Sequence, residues 1–271
     1  MEGLTGYIYR NAYHHHFMPM DKYFAPFIVA TSNRKMNHRE WSDLLPEHNQ
    51  ELTLIPQILT NKTEDFLNTA SRLWEMGYQE INLNLGCPSK TVVTKGKGSG
   101  FLDKTIELER FLDQIFSRLE GKLSIKTRIG RFEADEFERI LEIFNRFPLE
   151  ELIIHPRVQT DYYNNQPDME AFRLGYQNSK TKVCYNGDVF SLERADEIFA
   201  QFPNLDSMML GRGMIRNPDL RNLLEERENG QQNQERAQRW ESFHNEIFDG
   251  YEQAFDGDRP VLFKMKEIWH E

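Results

Sequence analysis

The chain has 271 residues, 39% apolar and 28% charged, with 33 basic against 43 acidic side chains and a formal net charge of −10. That acidity excludes a protein that grips nucleic acid through its overall field, and no apolar run approaches the ~20 residues that span a bilayer. Two cysteines without CxxC spacing exclude a zinc ribbon or a disulfide framework; with a first segment that lacks basic and apolar stretches, they predict a protein of the reducing cytoplasm.

The first segment, 5–16, reads as a loop and a helix with no strand before it. Short β-branched runs then alternate with longer amphipathic ones. Strands are expected at 27–31, 52–58, 80–85, 123–127, 152–155, 182–185 and 207–210, and helices at 61–77, 104–119, 133–147, 168–178 and 191–201. Asn61 with Glu64 three residues on has the form of a capping box, and Gly77 that of a helix stop. Apolar strands alternating with helices imply a parallel sheet covered by helices. Seven strands suit an open sheet, or a (β/α)8 TIM barrel whose first strand is missing from this chain. Beyond 218 the strand pattern stops. Trp240, Phe243, Ile247 and Tyr251 fall on one face of a helix, so the expected division is a catalytic domain at 1–218 and a partial helical appendix at 219–271.

Polar residues recur where these strands end. Gln57 ends the second strand, and Asn84-Leu85-Gly86-Cys87-Pro88-Ser89-Lys90 follows the third. Lys126 and Arg128 end the fourth, and His155 and Arg157 the fifth. Asn186-Gly187-Asp188 and Gly211-Arg212-Gly213 follow the last two. Each alone reads more readily as a structural residue, and Cys87 alone as a small buried thiol. Six in succession on one end describe the rim where parallel barrels keep their chemistry. Glycine turns after the last two strands, with Arg212 as a donor, suit a phosphate and so a phosphorylated cofactor. Gly96-Lys97-Gly98-Ser99-Gly100 is glycine-rich, but Gly98 stands where a P-loop needs Ser or Thr. Cations are frequent between 90 and 131, with acids interleaved, which reads as solvated helix faces or as a basic rim for a polyanion. His14-His15-His16 point in different directions on a helix, so no metal site is expected.

Taken together, Asn84–Lys90, Lys126-Thr127-Arg128-Ile129-Gly130, His155-Pro156-Arg157, Tyr163, Asn186-Gly187-Asp188 and Gly211-Arg212 resemble the tRNA-dihydrouridine synthases. The resemblance implies an FMN-dependent barrel with a helical C-terminal domain that reduces uridines of tRNA with NADPH. It implies hydride transfer from FMN to C6 of uracil and a proton from Cys87 to C5; a thiol of ordinary pKa, about 8.5, is protonated at neutral pH. It further implies that Met1, Glu2, Gln57, Asn84, Lys126, His155, Asn186, Gly187, Asp188, Gly211 and Arg212 hold FMN. Asn84, Lys90, Arg157 and Tyr163 would meet the uridine, which must be turned out of its stack. Two departures from the family pattern stand out. Met1 aligns with a methionine that follows the family's first strand, and the helical part stops early and is rich in acids. Alternative readings are an FMN barrel oxidoreductase for a small dihydropyrimidine, and a tRNA-binding module without catalysis.

Overall fold

The structure, a computed structural model, describes residues 3–31, 36–225 and 233–270. Seven strands build one sheet: β1 (Tyr23–Val29), β2 (Leu54–Leu59), β3 (Glu80–Leu85), β4 (Lys122–Gly130), β5 (Leu152–Val158), β6 (Val183–Tyr185) and β7 (Ser207–Met208). They lie in chain order, and every neighbouring pair is parallel. Helix α1 (Tyr7–His16) precedes the sheet. Helices α2 (His38–Ser42), α3 (Thr63–Glu75), α4 (Lys90–Val93), α5 (Thr105–Phe116), α6 (Glu136–Phe144), α7 (Met169–Asn178) and α8 (Leu192–Gln201) lie between strands. After β7 come α9 (Arg212–Arg216), α10 (Leu220–Glu225), α11 (Asn233–Ala254) and α12 (Asp258–His270). The sheet curls into an incomplete (β/α)8 barrel in which β1 and β7 have no second neighbour among the described residues.

The alternation of side chains along the strands explains the layers. Ile81, Leu83 and Leu85 of β3, Leu123, Ile125 and Ile129 of β4, and Leu152 and Ile154 of β5 join the core under the helices. The helices answer with one apolar face each: Phe66, Ala70 and Leu73 of α3, Leu108, Phe111, Leu112 and Ile115 of α5, and Phe137, Ile140, Leu141 and Phe144 of α6. The residues in between, including Asn82, Asn84, Ser124, Lys126, Arg128, His155 and Arg157, are left on the concave side.

Several boundaries differ from expectation for local reasons. β1 begins at Tyr23, four residues earlier, and its register with β2 shifts between Phe24 and Phe27, where Pro26 has no N–H for the ladder. The expected capping box at Asn61 does not form. Lys62 is the N-cap of α3, Asn61 Nδ2 donates to the carbonyls of Lys95 and Gly96 (both 3.1 Å), and Glu64 pairs with Arg118. Helix α6 starts late because the Glu136 carboxylate accepts from the backbone N–H groups of Arg131 (2.9 Å), Phe132 (2.8 Å) and Glu133 (2.9 Å), which winds that segment into a turn. Gly77, at φ +97°, does end α3.

Phe243, Ile247 and Tyr251 of α11 are buried, and Trp240 packs against the same core. Phe243 meets Phe17 and Tyr9 beside α1 with ring centroids 5.0 and 5.5 Å apart. His15 and His16 both bond Glu246 of α11 at 2.7 Å. Among the described residues no group of three or more His, Cys, Asp or Glu is arranged to hold a metal ion, and no helix is long and apolar enough to cross a membrane.

Candidate active site

In a parallel sheet, paired residues point the same way, so the register sorts the concave side chains into tiers. Gln57, Asn82 and Ser124 pair across β2, β3 and β4; Gln57 Nε2 donates to Asn82 Oδ1 (2.8 Å), and Asn82 Nδ2 to Ser124 Oγ (3.0 Å). Asn84, Lys126, Ile153 and Cys184 form the next tier, and Arg128 and His155 the one above. Asn84 Nδ2 donates to Gln57 Oε1 (2.7 Å), which ties the lower tiers together.

Asn84 also shapes the cysteine loop, because its Oδ1 accepts from the backbone N–H groups of Gly86 (3.0 Å) and Cys87 (2.9 Å). The Cys87 carbonyl is gripped by Ser99 through N–H (3.1 Å) and Oγ (2.8 Å). The thiol is left half-buried at the rim. The glycine-rich segment 96–100 is therefore the backing of this loop. Gly98 has φ +56°, and a Cβ there would lie 2.7 Å from the Cys87 carbonyl oxygen. Gly98→Ala is expected to lower stability by about 1–3 kcal/mol and to speed the reaction of Cys87 with thiol reagents. Urea titration and thiol-release kinetics check this. Cys184 is buried, and burial with Glu151 nearby pushes its thiol up to about 12, so a single reactive thiol is expected.

Lys126 stands beside this loop: a Cβ on Gly86 would lie 3.8 Å from its Nζ. Its ammonium has no hydrogen bond or ion pair among the described residues. Burial first and Arg128 second lower its pKa to about 8, against a smaller opposite pull from Cys184 and Cys87. Arg128 is 0% exposed and donates to the carbonyls of Gly86, Val158 and Tyr162. His155 is held well below its ordinary pKa by burial and by Lys126, Arg128, Arg157 and Arg212. Arg157 is 1% exposed, and all three of its nitrogens face protein groups: the Asn165 carbonyl, His155 and Asp188. Burial would raise the Asp188 carboxyl, but Arg157 and Arg212 outweigh it and hold the group below its ordinary range. Arg212 Nη2 lies 2.6 Å from Asp188 Oδ1. The Tyr163 ring is exposed, with Arg212 and Arg128 at 4.7 and 5.3 Å from its centroid and His155 at 6.1 Å.

The structure thus brings Gln57, Asn84, Cys87, Lys126, His155, Arg157, Tyr163, Asp188 and Arg212 to one end of the curled sheet. Asn186 is fixed there by donating from Nδ2 to the Met209 carbonyl (2.9 Å). Gly187 lies under the Tyr185 hydroxyl, 2.7 Å from where a Cβ would be, and Gly211 caps α9. Lys90 is exposed at the start of α4. Met1 and Glu2, expected to touch FMN, lie outside the described residues. Lys126 provides the test of cofactor fit. A partnerless ammonium beside Arg128, next to the Asn84 and Gln57 amides, suits a ring rich in acceptors that gains negative charge on reduction, and the flavin of FMN is such a ring. A crevice of about 320 Å³ between the starts of α3 and α5, lined by Lys62, Lys104 and Arg110 among others, belongs to the outer surface and contains none of these residues. Ser99, Asn82 and Ser124 were not singled out in the sequence; the glycine pair around Ser99 was the signal for the first.

The family model for dihydrouridine synthase (Dus) matches residues 12–268. The tRNA-dihydrouridine synthase B of Pasteurella multocida is 26% identical over 200 residues, which is 73% of this chain and 60% of that protein. A probable tRNA-dihydrouridine synthase of Staphylococcus aureus is 27% identical over 230 residues, 80% of this chain and 67% of that protein. The chain therefore spans about 60–67% of the length of these relatives. Among solved structures, phosphoribosyl anthranilate isomerase from Thermococcus kodakaraensis superposes with a TM-score of 0.52 at 14% identity, covering 84% of this chain and 97% of that one, a likeness of fold alone. The chain belongs to the dihydrouridine synthase family.

Proposed function

We propose that this protein reduces uridines of tRNA to 5,6-dihydrouridine, with FMN as cofactor and NADPH as reductant, in the cytoplasm. Family membership and the relatives' names support the reaction class. The observation that carries the chemistry is Cys87, half-buried on a loop clamped by Asn84 and Ser99 and set beside the partnerless Lys126.

In this reading, residues 1–218 form the catalytic part and 219–271 the part that faces RNA. Gln57, Asn84, Lys126 and His155 would hold the flavin ring, and Asn186, Gly187, Asp188, Gly211 and Arg212 its ribityl chain and phosphate. When bound and reduced, the flavin would supply hydride chemistry for C6 of the uracil. Cys87 gives its proton to C5, and solvent returns a proton to the resulting thiolate. Lys126 places positive charge where negative charge must be held. Tyr163 offers an aromatic face to the extruded base, and Lys90 meets the RNA chain. Arg157, with every nitrogen turned to protein, supports the site through His155 and Asp188.

The test incubates purified protein with FMN, NADPH and unmodified tRNA and measures dihydrouridine by mass spectrometry of digested RNA. Dihydrouridine should accumulate. Cys87→Ala should lose about a hundredfold in rate while keeping the flavin absorbance. Reduction of a free pyrimidine with tRNA untouched would assign a small-molecule oxidoreductase instead. Binding of tRNA with no flavin retained would assign a non-catalytic module.

A further inference from the structure

The contact between Arg157 and His155 determines more than the position of a ring. The Arg157 Nη1 atom lies 2.9 Å from His155 Nε2. A guanidinium carries only donors, so Nε2 must be the acceptor in this bond. The imidazole proton is then on Nδ1, and Nδ1 has no partner among the described residues. Arg157 is not free to turn away. It is 1% exposed, its Nε donates to the Asn165 carbonyl at 2.6 Å, and its Nη2 is held by Asp188. Asp188 is in turn shared with Arg212, so the three-residue chain Asp188, Arg157, His155 is braced at its far end.

We propose that Arg157 is a positioning residue that locks His155 as the neutral Nδ1–H tautomer, so that the concave site presents a fixed hydrogen-bond donor there to a heteroaromatic ligand through a carbonyl oxygen or an unprotonated ring nitrogen. This part of the ligand is thereby required to be an acceptor. The groups that face His155 agree with a neutral ring. Lys126 and Arg128 come from β4, Arg157 from β5 and Arg212 from α9, and all four disfavour a second proton on it. The Tyr163 ring lies 6.1 Å from it, and the Asp188 carboxylate, on the far side of Arg157, is spent on two arginines. An imidazole free in water favours the opposite tautomer, with the proton on Nε2, so the lock has a visible signature.

The locking of the ring stands apart from the flavin reading; the identity of the ligand rests on it. The experiment uses full-length protein labelled with 15N-histidine and long-range proton–nitrogen correlation, with His155→Gln to assign the signal. In the wild type without ligand, His155 should show a protonated Nδ1 and a bare Nε2, and this pattern should hold as pH falls from about 8 to about 6. Arg157→Lys, which again offers only donors, should keep it. Arg157→Met should move the ring toward Nε2–H. FMN is then titrated by flavin fluorescence. Arg157→Met should weaken it by about tenfold, and Arg157→Lys by less than about threefold. A wild-type spectrum with the proton on Nε2, or with both nitrogens protonated at neutral pH, overturns the proposal, and the one variant this reading needs is His155→Gln for assignment. The locked tautomer found in a protein that does not bind FMN would uphold the lock and overturn the flavin reading.

Discussion

Lys126→Met is expected to make the protein more stable and to cost it its cofactor. In the wild type the lysine is buried beside Arg128 without a counter-ion, and its pKa drops from the ordinary 10.5 to about 8. At about 1.4 kcal/mol per tenfold, that depression corresponds to roughly 3 kcal/mol of stability forgone while the group is charged. Below pH 8 the lysine is charged in both the folded and the unfolded chain, and the fold bears the whole penalty. As pH rises from about 8 towards 10.5 the folded protein sheds the proton first, and the penalty fades. Urea titrations should therefore find the variant about 3 kcal/mol more stable at pH 7, with the gap closing through pH 10. An equal stability at both pH values would show that the ammonium is solvated in the native state. FMN affinity should fall about 30- to 100-fold in the variant, the worth of one charge-assisted contact. In the wild type, binding of the anionic cofactor should weaken by up to tenfold per pH unit above about 8, because the neutral lysine must then be reprotonated. The variant should lack that slope. Such an exchange of stability for function is common where a site keeps a charge waiting for its ligand.

Arg128→Met should have the largest effect on the fold itself. Arg128 is fully buried, and its Nε and Nη1 donate to the Gly86 and Val158 carbonyls at 3.1 and 2.7 Å, with Nη2 on the Tyr162 carbonyl. Methionine fills most of the apolar volume but removes the charged donor from three carbonyl oxygens. Hydrogen bonds from a charged donor are worth about 1.5–3 kcal/mol each, so a loss of about 3–5 kcal/mol is expected after relaxation. The loss should be local in its first sign. Gly86 belongs to the cysteine loop, and Tyr162, at φ +51°, is a non-glycine residue in a conformation that needs support. Thiol-reagent kinetics at Cys87 should accelerate in this variant well below the urea midpoint. A loss under about 1 kcal/mol would mean that water replaces the guanidinium at all three carbonyls.

The elements that were legible in the sequence are those whose cause is local. Strands such as 80–85 alternate apolar and polar residues because one side meets helices and the other meets the site, and that period survives in any short window. Polar strand ends such as Asn84, Lys126 and His155 were visible for the same reason. What the sequence concealed depends on distant partners. Asn61 and Glu64 have the spacing of a capping box, yet the Asn61 amide is claimed by carbonyls 34 and 35 residues away. Asp188 looked like part of a phosphate cradle. Its carboxylate is engaged by arginines 31 residues before it and 24 after it, which no turn motif records. Arg128 read as one more cation at a strand end, since its carbonyl partners lie 30 to 42 residues away. The early start of β1 was hidden by Pro26, which breaks the ladder but not the strand.

The seven strands lie in the order in which they are made, and that has a bearing on how the molecule assembles. Each strand finds its neighbour one βα unit away, so the sheet can grow as the chain emerges, with modest loops to close at each step. The contacts of α1 with α11 break that rule: His15 and Glu246 are 231 residues apart. Until α11 exists, the aromatic face around Tyr9, Tyr13 and Phe17 has no cover from Phe243. The clasp between α1 and α11 is the step that must wait until all seven of the described strands have been made, and it leaves α1 in need of protection during synthesis.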